Sequence, residues 1–112
     1  MKTKLIVALV DDAKTDTVVD AARAAGATGA TVITSARGEG RSVKKTFLGL
    51  ELASKCDVLL FLVSEAHAPA VLKGIHDAGQ FDGEPGAGVA FQIDVEEAVG
   101  LASQMAGGES AE

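Results

Sequence analysis

The sequence predicts an α+β fold in which two consecutive β-α-β units form a four-stranded antiparallel sheet with both helices on one face. Apolar strand patterns and helical patterns follow one another in the order strand, helix, strand, strand, helix, strand. The length of 112 residues fits one domain, and no linker divides the chain. One hydrophobic core is therefore expected.

The first unit begins with a continuous apolar run at residues 5–10. This run is too short for a helix and is typical of a strand covered on both faces. The candidate N-caps Asp11, Asp12 and Thr15 precede a helix whose apolar positions recur at helical spacing until Gly26. Residues 28–37 then alternate small and β-branched side chains, which predicts a half-buried second strand.

The second unit repeats this order. Residues 57–63 predict a buried strand, and Ser64 begins a cap-like stretch before a helix with Pro69 near its first turn. The helix is predicted to end near Gly79, and residues 89–93 to form the fourth strand.

The chain after the fourth strand is predicted to form a short terminal helix over residues 95–105. The domain is expected to occupy residues 1–105, with residues 106–112 as a flexible, small and polar tail.

The sheet face opposite the helices also needs cover. The strands at residues 5–10 and 57–63 are apolar on both sides, so their second face cannot simply meet water. The hydrophobic fraction of 47% comes mainly from small residues, with four Phe and no Trp or Tyr, so the core is thin. Contact between subunits is the simplest cover, and a homo-oligomer is expected.

The overall charge excludes some classes of partner. Ten basic and sixteen acidic residues give a net charge of -6, which would repel a nucleic acid backbone. No apolar run approaches the roughly 18 residues of a membrane span, and no signal peptide is expected. The single cysteine, Cys56, fits a reducing cytoplasm.

A basic, glycine-containing loop stands out in this acidic chain. Residues 37–47 hold four of the ten basic residues (Arg37, Arg41, Lys44 and Lys45), interleaved with Gly38 and Gly40. The functional interpretation is an anion site, because glycine lets backbone amides approach a phosphate while Arg41 or a lysine supplies charge. The alternative is a solvated hairpin whose charges only maintain solubility. Neither a P-loop nor a dinucleotide fingerprint is present.

A second glycine cluster lies at residues 83–88. It lacks the Lys-Ser/Thr pair of a Walker loop and leads into a strand, so by itself it indicates a tight turn. In the predicted topology the two glycine segments lie on edges of different subunits and could meet only across an interface.

The sequence offers no metal or catalytic motif. The usable metal ligands Cys56, His67 and His76 match no zinc spacing. Ser35, Ser42 and Ser64 have no nucleophile motif around them, so no pairing of a nucleophile with a base is expected. The sequence therefore predicts a binding protein and no enzyme.

Three stretches together resemble the landmarks of P-II-type signal-transduction proteins, in the same order and at similar separations: 26–32, 37–41 and 86–91. The resemblance covers residues 4–100. It implies a ferredoxin-like βαββαβ homotrimer with an adenine nucleotide in each cleft between subunits. It also implies that a loop at about 38–50 reports nucleotide occupancy to a partner, such as a membrane transporter or a carbon or nitrogen metabolic enzyme.

The residues implied as ligand contacts lie in these stretches or close to them: Thr28 beside the adenine, Gly38, Gly40 and Arg41 on the phosphate side, Lys55 near the phosphates, and Gly86 and Gly88 in the second loop. Two departures reduce the positive charge. Val89 stands where the family continues with lysine, and residues 96–100 replace an arginine-bearing stretch. The ligand could therefore be ADP, AMP, ATP, cyclic AMP or another anion. The absence of tyrosine excludes tyrosine uridylylation.

The alternative hypothesis is a trimer that binds divalent metal and resembles the CutA proteins, which share this architecture. It predicts copper or zinc uptake that depends on Cys56 or a histidine.

Overall fold

The computed structural model describes residues 2–34, 45–47, 50–52, 56–83 and 88–100. A 3-10 turn at Asp12–Lys14 precedes the first helix. The helices and strands are β1 (Thr3–Asp11), α1 (Thr15–Ala24), β2 (Thr31–Ile33), β3 (Lys45–Phe47), β4 (Leu50–Leu52), β5 (Cys56–Ser64), α2 (Ala68–Gly79) and β6 (Gly88–Asp94).

The main sheet has four strands in the order β2-β5-β1-β6. Each neighbouring pair is antiparallel, and β1 pairs with β5 along the whole length of both strands. This is the predicted ferredoxin-like α+β arrangement, in which the central strands come from different β-α-β units.

A separate two-stranded hairpin, β3 with β4, falls at the end of the predicted loop 38–50 and just beyond it. These two strands were not predicted from the sequence. Each has three residues, which is too short for an alternating pattern to be recognised.

The helices cover one face of the sheet, and the core lies between them. Alternate residues of β1 and β5 point to this face because side chains along a strand alternate between the two faces. The core positions are Ile6, Ala8 and Val10 on β1, Leu59, Phe61 and Val63 on β5, and Val18, Ala22, Val71 and Ile75 on the helices. Phe61 is the largest fully buried side chain among the described residues.

The intervening residues of β1 and β5 face the other side of the sheet and are also apolar. Leu5 pairs with Leu62, Val7 with Leu60, and Leu9 with Val58. This confirms that both central strands are apolar on both faces. We call this surface the open face. Near Leu9 it is buried in a small cluster, whereas Leu62 at the other end is 37% exposed.

Two sequence predictions about local structure are wrong. Within the described residues the second strand covers Thr31–Ile33 and all of its residues are exposed, where a half-buried strand over 28–37 was expected. Residues 28–30 are not in a strand, and residues 35–37 lie outside the described residues. As an edge strand, β2 pairs with β5 on one side only among the described residues.

Residues 95–98 have no regular structure, and 99–100 form a bend, so this part is not helical. The amide of Val95 donates to Thr3 O (3.1 Å), which continues the extended path of β6. The remainder of the predicted terminal helix and the tail lie outside the described residues.

Candidate functional site

Three strand ends meet at one end of the main sheet. Ile33, at the end of β2, pairs with Val58, and Cys56, at the start of β5, pairs with Asp11. Gly88, at the start of β6, pairs with Val10. The end of β2 and the starts of β5 and β6 therefore lie at the same end of the sheet, which we call the loop end.

The predicted phosphate-side residues belong to the segments that follow β2 or precede β5 and β6, and these segments connect to those strands at the loop end. Gly38, Gly40, Arg41, Lys55 and Gly86 themselves lie outside the described residues. β2 and β6 are the two outer strands of the sheet, so they lie three strand spacings, or roughly 14 Å, apart. The segment that follows β2 therefore begins at one edge of the sheet, and the segment that precedes β6 ends at the opposite edge of the same protomer.

Gly88 is described, and the structure explains why this position is glycine. Its φ of 154° is unfavourable for other residues. A Cβ atom here would lie 2.8 Å from Leu9 O and 2.7 Å from Phe81 Cε1. The Phe81 ring also covers Gly79, where a Cβ atom would lie 2.1 Å from Phe81 Cε1. Glycine is thus required at 88 by packing, whether or not a ligand approaches it.

Thr28, the predicted adenine contact, is exposed and lies toward the other end of the sheet. It follows Gly26, which packs under the His67 ring just beyond the end of β5. One protomer therefore does not bring Thr28 and Gly88 together, and a ligand touching both would have to lie between protomers.

Lys14 and Thr15 hold neighbouring elements together near the loop end, and sequence reasoning missed this role. Lys14 Nζ donates to Gly79 O, the carbonyl of the last residue of α2, at 2.9 Å. Thr15 Oγ1 donates to Asp57 Oδ2 at 2.6 Å, and both side chains are buried. The acidic Asp57 directly before an apolar run was the available signal. From the sequence, Thr15 was only a candidate N-cap, but α1 has no side-chain cap. Asp11 accepts a capping bond from Ala13 N (2.9 Å) at the 3-10 turn that precedes α1.

The structure corrects the expectation that no serine is paired with a base. Ser64 Oγ and His67 Nδ1 are 2.9 Å apart. The same two residues close a backbone turn in which His67 N donates to Ser64 O at 3.0 Å. This turn joins β5 to α2, and Ser64 is buried, so the geometry fits a local connection that fixes the start of the helix.

A charged cluster lies on the last turn of α2. His76 Nε2 is 2.6 Å from Asp82 Oδ2, and His76 Nδ1 is 3.1 Å from Asp77 Oδ1. These bonds raise the pKa of His76, with Asp82 as the larger cause. The pKa of Asp77 is lowered, first by Lys73 and then by His76. The cluster borders a groove of about 510 Å³ between α2 and β6, which also includes Phe81, Leu72 and Ala90.

We expect His76 to titrate above the ordinary histidine value of about 6.5. Because the folded pKa is raised, the stabilising contribution of His76 is fully present below the unfolded pKa and is lost as pH rises through the folded pKa. Asp82→Asn should lower the His76 midpoint more than Asp77→Asn. The measurement is a proton NMR titration, with His76→Gln used to assign the resonance.

Asp20→Asn, an exposed carboxyl on α1, serves as the control and should leave the midpoint unchanged. An Asp82→Asn protein that titrates like the wild type would contradict the assigned partner.

No three His, Cys, Asp or Glu side chains within the described ranges are grouped so as to hold a metal ion. None of the helices in the described part has the length and apolar character to cross a membrane.

The strand order and the helix positions define a ferredoxin-like α+β protein, and the sequence comparison identifies its family. The chain belongs to the nitrogen regulatory protein P-II family, whose sequence model matches residues 3–104. This confirms the resemblance inferred from the three landmark stretches and places the chain among signalling regulators. Curated protein sequences gave no significant match.

A solved structure agrees with this fold. The crystal structure of a protein described as PII-like and signalling, from Thermus thermophilus, matches with a TM-score of 0.59 and 22% sequence identity. The match covers 85% of this chain and 87% of that chain. At this level of identity the likeness confirms the ferredoxin-like fold.

Proposed function

We propose that this protein is a cytoplasmic homotrimeric regulator that binds an adenine nucleotide in the clefts between protomers. Occupancy of the cleft controls a partner, a membrane transporter or a carbon or nitrogen metabolic enzyme, through the segment at about 38–50. The observation that carries the proposal is that the end of β2 and the start of β6 lie at the same end of the sheet but on opposite edges.

The direction of these two edge strands suits a ring of protomers. β2 runs antiparallel to β5, and β6 runs antiparallel to β1, which is itself antiparallel to β5. β2 and β6 are therefore antiparallel to each other. If β2 of one protomer lies beside β6 of the next, the sheet continues in its antiparallel pattern, and the arrangement closes by rotation. The basic glycine segment of one protomer then lies beside the second glycine segment of its neighbour.

The same ring accounts for the open face. Leu5, Val7, Leu60 and Leu62 lie on it, and an apolar surface of this kind is stabilised by contact with other subunits. Packing the open faces around a threefold axis would bury them together.

The proposed cleft would extend from Thr28 at one end to the loop end of the sheet at the other. Thr28 and Ile33 are five residues apart in the sequence, so they are separated by at most about 18 Å. An elongated ligand along the cleft could place its base near Thr28 and its phosphates near the glycine segments at the loop end. Backbone amides in glycine segments bind phosphate oxygens.

We expect titration calorimetry to show binding of at least one of ADP, AMP, ATP and cyclic AMP. Arg41→Ala should weaken that binding by about 10- to 100-fold, because a hydrogen bond to a charged group contributes about 1.5–3 kcal/mol. The matched control is Arg23→Ala, which removes an exposed arginine in the last turn of α1 and should leave the affinity unchanged. Heat from none of the four nucleotides, or equal affinities for the two variants, would contradict the nucleotide site.

A further inference from the structure

We propose that Lys14 and Thr15 are positioning residues that hold Gly88 and Asp57 in place at the loop end, and thereby set how strongly the cleft binds phosphate. This inference rests on the proposed nucleotide site. We call the two residues the clamp.

The lysine half of the clamp acts on the end of α2. Lys14 Nζ donates to Gly79 O (2.9 Å), a contact that is partly buried. A cation at a helix C-terminus is favourable, and it satisfies a carbonyl that has no partner within the helix. Gly79 packs against the Phe81 ring, and the same ring packs against Gly88. A movement of the end of α2 would therefore be passed through Phe81 to the start of β6.

The threonine half acts on the start of β5. Thr15 Oγ1 donates to Asp57 Oδ2 at 2.6 Å. Thr15 is 8% exposed and Asp57 is 6% exposed. A buried carboxylate that loses a donor is costly, so the bond is maintained in the folded protein.

The lysine and threonine halves of the clamp act on one row of paired residues that runs across β5, β1 and β6. Val10 pairs with Asp57 on one side and with Gly88 on the other. Asp57 and Gly88 therefore flank Val10 at a separation of about 10 Å. Since Lys14 and Thr15 are adjacent in the chain, one short segment fixes both flanks. The predicted contact Lys55 precedes this row by two residues, and Gly86 precedes Gly88 by two residues.

The test compares affinities for adenosine and ADP by titration calorimetry, below the melting temperature of each variant. For Lys14→Met and Thr15→Val we expect the ratio of the adenosine and ADP dissociation constants to fall by between about twofold and tenfold, the range for one hydrogen bond to the phosphate that is lost when the loop end moves. The affinity for adenosine alone should not change, because Thr28 lies at the other end of the cleft. A general loss of stability would weaken the binding of adenosine and ADP alike, so it would not change the ratio of their dissociation constants.

Conservative and matched variants complete the design. Lys14→Arg and Thr15→Ser keep a donor and should restore most of the ADP affinity. Lys73→Met and Thr17→Val remove the same groups from exposed positions and should bind like the wild type. Wild-type protein that binds no nucleotide would overturn the proposed function together with this inference. Wild-type binding with an unchanged ratio in both clamp variants would overturn the clamp alone.

Discussion

Phe61→Ala is expected to lower the free energy of unfolding by about 3–5 kcal/mol. Phe61 is the largest fully buried side chain in the part of the chain that the structure describes, and it lies on central strand β5, facing both helices. Its removal takes apolar contacts from the core and leaves a cavity, and small residues of the same core such as Ala8 and Ala22 cannot fill it. The measurement is urea denaturation followed by circular dichroism, at one fixed protomer concentration because the proposed assembly would contribute to apparent stability.

Phe61→Leu provides the graded comparison, since leucine refills most of the lost volume. It should cost less than half as much as the alanine variant. A loss below about 1 kcal/mol for Phe61→Ala would mean that this ring does not lie at the centre of the core.

The two long strands could be predicted because each is encoded locally. Residues 5–10 and 58–63 are continuous apolar runs, and the structure extends the predicted strands at 5–10 and 57–63 only to Thr3–Asp11 and Cys56–Ser64. The second helix was also recognised, although it begins at Ala68 because Ser64 still belongs to β5.

The features that sequence reasoning missed depend on contacts between distant parts of the chain. Thr15 and Asp57 are 42 residues apart, and Lys14 and Gly79 are 65 apart. No local pattern indicates such partners. The exposure of β2 likewise follows from its place at an edge of the sheet, which its β-branched residues do not reveal.

The candidate site was predicted less completely than the fold. The glycine at 88 was attributed to a ligand loop, but Leu9 O and the Phe81 ring already require it. Glycine patterns combine packing and binding requirements, and only the geometry separates them. The nucleotide contacts at Gly38, Gly40, Arg41, Lys55 and Gly86 remain predictions because they lie outside the described residues.

Leu60→Asp is expected to abolish the proposed trimer. Leu60 pairs with Val7 in the middle of the open face. Burying even a neutral polar group without a partner costs about 2–7 kcal/mol, which corresponds to at least about a thirtyfold rise in the dissociation constant. A carboxylate costs more, and a threefold assembly would bring several carboxylates together. Sedimentation velocity should therefore show trimer for the wild type and monomer for the variant.

The protomer itself should still fold, because the change leaves the helix-side core around Phe61 intact, and a circular dichroism spectrum like that of the wild type would show this. Ala70→Asp adds the same charge on the exposed surface of α2 and should leave the trimer unchanged. Val7→Asp places a carboxylate on the residue of β1 that pairs with Leu60, and it should also abolish the trimer. If both open-face variants remained trimeric, the subunits would have to meet through another surface, and the proposed cleft between β2 and β6 would lose its main structural argument.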